Sequence, residues 1–267
     1  MGIHSKPKTI SLFLFLLLLA FLASPASSLQ PQINVWPYPR SVHWPTPKAT
    51  TLSSSLQIFC PPTHKYLLAT VERYANLILS EHYQPIRGPP ANLTTGLPPL
   101  QVLRINVLDL SAPLQHGADE SYRLSIPTYG EANLTAATAW GAMRGLETFS
   151  QLVWYGGGWM RIPVGLYIWD APLFPHRGLM LDTSRNFYGV SDILRTIGAM
   201  SMNKMNVFHW HVTDSHSFPI VLPSEPDLAG KGSYGPRMQY SVEDVQSIVE
   251  FGMEHGVRVM PEFDAPG

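Results

Sequence analysis

Eight polar residues of catalytic or ligand-binding type follow three short apolar runs. Asp182 and Arg185 close the first run, Gly178-Leu179-Met180-Leu181-Asp182. His209, His211, Asp214 and His216 sit at or just after the second, Met205-Asn206-Val207-Phe208-His209-Trp210-His211. Glu262 and Asp264 close the third, Val257-Arg258-Val259-Met260-Pro261-Glu262. Two imidazoles two residues apart on a strand point the same way, so His209 and His211 read as a metal pair in a metal-dependent hydrolase. Carboxylates beside imidazole and guanidinium equally suit proton transfer and the binding of hydroxyl-rich ligands. Asp214 has a plain alternative as a loop-capping residue, and Arg177 has one as a structural ion pair with a nearby carboxylate.

The elements that must position these residues alternate. Between the first two runs Ser191 reads as an N-cap for a helix carrying Ile193, Leu194, Ile197 and Met200. Before the third run, Ser241 and Asp244 read as a capping box, and Gly256 as the stop of that helix. Strand, helix, strand, helix, strand with apolar strands predicts a parallel sheet. The polar residues fall where the strands end, the face that carries the active site of a (β/α)₈ barrel. An open dinucleotide-binding sheet would need a glycine-rich first turn, and Thr183-Ser184 follows Asp182 instead.

The first half reads as a smaller α+β unit. Lys65 to Ser80 has helical spacing, Val102–Leu108 and Ser121–Ile126 alternate as strands, Ala136 to Val153 reads as a helix, and a short strand lies around Leu166–Ile168. The proline-rich stretch 29–50 supports no regular helix. Ahead of it, Lys6 and Lys8 precede the apolar run Ile10 to Ala23, and Ala26 and Ser28 suit a signal-peptidase cut. The run of about 14 residues is short of the ~20 that span a bilayer. Asn92-Leu93-Thr94 and Asn133-Leu134-Thr135 are N-glycosylation sequons. Cys60 is the only cysteine, either a buried free thiol or half of a pair whose partner lies elsewhere. The expected route is secretory, ending at the extracellular apoplast, the plasma-membrane surface or the vacuole. The formal net charge of −1 gives no basic face for nucleic acid, and 14% charged residues with 45% hydrophobic excludes charge-driven disorder.

Several long blocks then resemble one family in order. Phe174-Pro175-His176-Arg177-Gly178-Leu179-Met180-Leu181-Asp182-Thr183-Ser184-Arg185-Asn186-Phe187, Asn203 to His211, Asp214-Ser215-His216-Ser217-Phe218-Pro219 and Glu262-Phe263-Asp264-Ala265-Pro266-Gly267 resemble glycoside hydrolase family 20, the β-N-acetylhexosaminidases. Asp119-Glu120-Ser121-Tyr122 and Arg144 to Leu152 resemble that family's non-catalytic first domain, and the wording is closest to its plant members. The resemblance implies an α+β domain over 29–172, after a signal peptide at 1–28, and the first three βα units of a truncated TIM barrel over 173–267. It implies retaining hydrolysis of terminal N-acetylglucosamine or N-acetylgalactosamine from glycans, the substrate's own acetamido oxygen attacking C1. No metal or other cofactor is implied, and a homodimer of the full-length protein is left open.

Residue by residue, Arg177 matches the arginine that holds the outer sugar hydroxyls. Asp214 matches the aspartate supporting a catalytic histidine. Glu262 and Asp264 shape the pocket, by ligand contact or by structural hydrogen bonds. That histidine and the catalytic Asp-Glu pair match nothing in the chain; Asp119-Glu120 belongs to the first domain. The resemblance therefore implies no hydrolysis by these residues alone. A non-catalytic glycan-binding protein and the metal-dependent hydrolase are the rival readings.

Overall fold

The fold is described from a computed structural model, for residues 33–85 and 96–264. The signal-peptide segment and Asn92 lie outside these residues. Two sheets organise the chain, and Asn34–Gly267 form one compact unit.

The first sheet holds β1 (Ser41–His43), β2 (Lys48–Phe59), β3 (Leu100–Asp109), β4 (Tyr122–Ile126), β5 (Ala132–Thr138), β6 (Trp154–Gly156), β7 (Trp159–Val164) and β8 (Leu166–Asp170). Their order is β1-β8-β4-β5-β3-β2-β7-β6. Strict alternation sets the buried face: Tyr122, Leu124 and Ile126 on β4, and Ala132, Leu134 and Ala136 on β5. Two helices cover that sheet, α1 (Lys65–Ser80) and α2 (Ala139–Gln151). Helix α1 matches the expected span. Helix α2 starts later than the expected Ala136, because Ala136 pairs with Tyr122 and Val107 inside the sheet. Thr138 then caps it, its hydroxyl accepting from Gly141 N at 3.2 Å. Residues 139–149 of α2 are all buried. Gly145 allows this, since a Cβ there would collide with Leu134 on β5.

The second sheet holds β9 (Gly178–Asp182), β10 (Val207–Thr213) and β11 (Arg258–Phe263), all parallel, with β10 in the centre. Helix α3 (Val190–Met202) joins β9 to β10, and α5 (Val242–Glu254) joins β10 to β11. Both pack on one face of β10: Phe208, Trp210 and Val212 are buried with Ile193, Ile197 and Met200 of α3 and Ile248 of α5. Val207, His209 and His211 occupy the opposite face. Strands in sequential order, with the helices on one side, follow a barrel segment rather than the reversal point of a doubly wound sheet.

The capping box of α5 is present, Ser241 Oγ accepting from Asp244 N at 3.1 Å and Ser241 N donating to Asp244 Oδ2 at 2.9 Å. Gly256 follows at φ +63°, the left-handed geometry that ends a helix. Ser191 is not the cap of α3. Gly189 holds that position without a side-chain bond, and its carbonyl already accepts from Asp192 and Ile193. The long loop after β10 contains one short helix, α4 (Pro226–Gly232), which the sequence pattern did not show.

The two layers are joined by a buried polar seam. Glu120 accepts from Arg144 Nε at 2.7 Å, Arg177 Nη2 at 2.7 Å and Asn206 Nδ2 at 2.8 Å. Burial would raise its carboxyl, but Arg144 and Arg177 outweigh that and hold it below the ordinary carboxylate range. Arg144 also donates to the carbonyl of Gly256 at 2.6 Å, at the end of α5. Lys204 Nζ reaches Tyr122 OH and Asp170 Oδ2, both at 2.9 Å.

Candidate functional site

The carboxyl ends of β9, β10 and β11 bring Asp182, His211 and Glu262 into one row by register. The turn after β9 is built on Asp182, whose Oδ1 accepts from Ser184 N and Arg185 N, both at 3.0 Å. That turn aims the Arg185 guanidinium back over the strand ends. Arg185 Nη1 donates to Asp182 Oδ2 at 2.7 Å, and Arg185 Nη2 pairs with Asp214 Oδ2. Arg185 thus spans two strand ends with a rigid fork.

Asp214 is further held by the Ser215 hydroxyl at 2.8 Å. That bond, with the Ser215 amide, Arg185 and His211, outweighs desolvation and keeps the Asp214 carboxyl below its ordinary range. For Asp182, burial pushes upward, and Arg185 more than offsets it through its amide and guanidinium. Both groups are carboxylates at neutral pH.

His211 lies between them and is buried. Its Nε2 is 3.4 Å from Asp264 Oδ2 and 3.7 Å from Asp214 Oδ2. Its Nδ1 is 3.4 Å from Asp182 Oδ1, outside hydrogen-bond geometry. One strand step lower, His209 Nε2 bonds Glu262 Oε2 at 2.6 Å. Asp214 and Asp264 therefore join at His211, whereas Glu262 is engaged by His209. The two histidines do not share a ligand site. Among the described residues, the atoms that could surround a cation belong to His211, Asp214 and Asp264, all within 4.8 Å of one another. His216 stays exposed at the margin, 4.0 Å from Asp214 Oδ1.

Arg177 is not part of this cluster, which corrects the sugar-holding role expected of it. It precedes β9, at the amino ends of the strands, and all three guanidinium nitrogens are engaged. Nε donates to Lys204 O at 2.8 Å, Nη1 to Phe174 O at 2.9 Å, and Nη2 to Glu120. The arginine at the carboxyl ends is Arg185. Its signal was its place three residues after Asp182, just past the strand. Asp119 and Glu120 are remote in role as well: Asp119 Oδ1 caps a turn at Ser121 N, and Glu120 is the buried seam.

Comparison with known proteins matches both layers. Residues 174–267 match the glycosyl hydrolase family 20 catalytic domain, and residues 35–152 match the beta-acetyl hexosaminidase-like family. The Caenorhabditis elegans Beta-hexosaminidase A is 37% identical over 88% of this chain and 42% of its own length. The mouse Beta-hexosaminidase subunit beta is 36% identical over 92% of this chain and 46% of its own length. Among solved structures, Flavobacterium johnsoniae chitobiase superposes with a TM-score of 0.74 at 30% identity, over 89% of this chain and 35% of that one. The Streptomyces plicatus N-acetyl-β-hexosaminidase does so at 0.67 and 25%, over 90% and 48%. The chain resembles glycosyl hydrolase family 20 proteins in both layers. It spans less than half the length of each of these relatives.

Proposed function

We propose that this chain supplies the sugar-holding half of a β-N-acetylhexosaminidase site, acting on glycans that end in N-acetylglucosamine or N-acetylgalactosamine. The observation that carries this reading is the convergence of Arg185, Asp182, Asp214, His211 and Asp264 at the carboxyl ends of three parallel strands, in a chain that resembles family 20. Arg185 takes the hydroxyl-holding role, because its fork presents two N–H edges at the rim and its carboxylate partners fix it there. Asp214, already ionised, is placed to orient a histidine and stabilise its charged form. Asp264 shapes the wall beside it, and Glu262 acts through His209.

The general acid is not among the described residues. A glycosidic oxygen needs a positioned proton donor, and every carboxylate of the rim is held by a cation or an imidazole. Glu120 is locked in the seam. These residues alone, the first three βα units of a barrel, are expected to hydrolyse nothing. A chromogenic N-acetyl-β-glucosaminide assay tests this: release above the buffer blank from the purified 267-residue chain refutes it.

The geometry also bears on the metal-dependent alternative. His211, Asp214 and Asp264 could surround a cation, yet the Arg185 guanidinium already neutralises Asp214 and Asp182. Arg185 must leave before a divalent ion gains those ligands, so this reading ranks second. Bound zinc after dialysis, lost on His211→Ala, would reverse the ranking. Secretion with cleavage after Ser28 and glycosylation at Asn92 and Asn133 complete the proposal; Asn133 is exposed on β5. A mass loss on enzymatic deglycosylation of the secreted chain tests both sequons.

A further inference from the structure

Two buried hydroxyls beside the rim engage main-chain carbonyls. Ser184, in the loop after β9, and Ser217, in the loop after β10, are both buried. Each bonds the other's carbonyl: Ser184 Oγ donates to Ser217 O at 2.9 Å, and Ser217 Oγ donates to Ser184 O at 2.7 Å. These bonds lie at the roots of the charged residues. Ser184 O belongs to the peptide unit that leads into Arg185, and Arg185 N donates to Asp182 Oδ1 at 3.0 Å. That peptide unit is thus held at both ends, its carbonyl by Ser217 and its N–H by Asp182. Ser217 O also accepts from Asp214 N at 3.2 Å, so it closes the turn that begins at Asp214. One carbonyl therefore joins the Asp214 main chain to the Ser184 hydroxyl. Thr183, buried as well, fastens the same segment to β10. Its N donates to His211 O at 2.9 Å, and its Oγ1 accepts from Trp210 Nε1 at 2.9 Å. Tyr234 OH reaches Arg185 O at 3.2 Å from the exposed side.

Resting on the sugar-holding reading of Arg185, we propose that Ser184 and Ser217 are positioning residues of that site. They form a reciprocal hydroxyl clasp that fixes the loop after β9 against the loop after β10, and so sets the Arg185 fork on Asp214 before a ligand arrives. Arg185 pairs with Asp182 on its own loop and with Asp214 on the next. The first pair is local, whereas the second depends on how the two loops sit. A long, half-exposed side chain gives up rotamer freedom to hold an ion pair, and a fixed root lowers that cost. The clasp fixes the root without presenting a group to the ligand, and its neutral hydroxyls leave the charge of the rim unchanged. The two halves differ in weight. Ser217→Ala leaves the buried Ser184 carbonyl without its donor, whereas Ser184→Ala leaves Ser217 O still bonded to Asp214 N. An orphaned buried acceptor costs more than one that keeps a partner, so Ser217→Ala has the larger effect.

The test compares the 267-residue chain with its Ser217→Ala, Ser184→Ala and Ser241→Ala variants. Ser241 caps α5, so its loss lowers stability away from the rim. Two quantities are read: the NMR order parameter of the Arg185 Nε–H bond without sugar, and the calorimetric affinity for N-acetylglucosamine. The order parameter is expected above about 0.6 in the parent, below it in Ser217→Ala, and between the two in Ser184→Ala. Re-ordering a loosened side chain at each binding event weakens affinity roughly two- to tenfold, and Ser217→Ala should show that loss. Ser241→Ala should change neither quantity. Arg185 as ordered in Ser217→Ala as in the parent overturns the proposal, as does equal loosening by Ser241→Ala. A loosened Arg185 with full sugar affinity overturns it too. Should Ser217→Ala fail to fold, Ser184→Ala decides by the same criteria. A parent that binds no sugar, with Arg185 still loosened by Ser217→Ala, leaves the clasp standing and refutes the sugar-holding reading instead.

Discussion

Replacing Glu120 should uncouple the two layers of this protein. Its carboxylate is 3% exposed and accepts three hydrogen bonds, from Arg144, Arg177 and Asn206. Arg144 is equally buried. Removing one partner of a buried ion pair costs about 3–5 kcal/mol, because the other charge is left without compensation. Glu120→Gln belongs at the low end, about 3 kcal/mol, since both guanidiniums keep backbone carbonyls: Gly256 for Arg144, Lys204 and Phe174 for Arg177. Glu120→Ala also opens a void and belongs near 5 kcal/mol, a large share of the roughly 5–15 kcal/mol typical of a domain. Urea unfolding followed by tryptophan fluorescence measures both, with the denaturant slope expected to stay constant. Adding Arg177→Met to Glu120→Gln should cost less than Arg177→Met alone, as the two share one interaction. Variants that stay within about 1 kcal/mol of the parent, with additive effects, refute the claim that this carboxylate holds the seam.

Other expectations follow from individual contacts. Ser241→Ala removes the acceptor for Asp244 N and should cost about 1 kcal/mol in the same unfolding assay; no loss means the capping box is idle. Burial, then the nearby Arg73 and Arg144 charges, push His255 down to about 4, against the bond from its ring to Phe251 O. A histidine depressed in the folded state binds its proton more readily when unfolded. Stability should therefore rise by about 3 kcal/mol from pH 4 to 6.5 on this account. A ring titration by NMR with a midpoint near 6.5 contradicts it. Gly256→Val places a β-branched residue at φ +63° and should destabilise by about 1–2 kcal/mol or more, read as a lowered urea midpoint.

The second layer was legible because its signals are local. Gly178–Asp182 is a strand over the expected residues, and Ser241, Asp244 and Gly256 bound α5 as their chemistry dictates. Asp214 and Asp264 could be placed at the strand ends by periodicity alone. The first layer was harder. Ala136–Thr138 reads as the start of a helix because Ala136, Ala137 and Ala139 favour one, and pairing with β3 and β4 overrides that preference. Arg177 and Arg185 flank the same strand, and chain order already places Arg185 at its carboxyl end; the fold adds that the Arg177 guanidinium is taken up by Glu120 and two carbonyls. Pairing of Glu120 with Arg177, 57 residues apart, leaves no trace in local spacing.

The most direct test of the central claim is calorimetric titration of the 267-residue chain with N-acetylglucosamine, beside its Arg185→Met variant. The account predicts binding at millimolar sugar that Arg185→Met weakens by about tenfold or more, in line with the ~1.5–3 kcal/mol of a hydrogen bond to a charged group. No heat from the parent chain, or an Arg185→Met variant that binds as tightly, contradicts it.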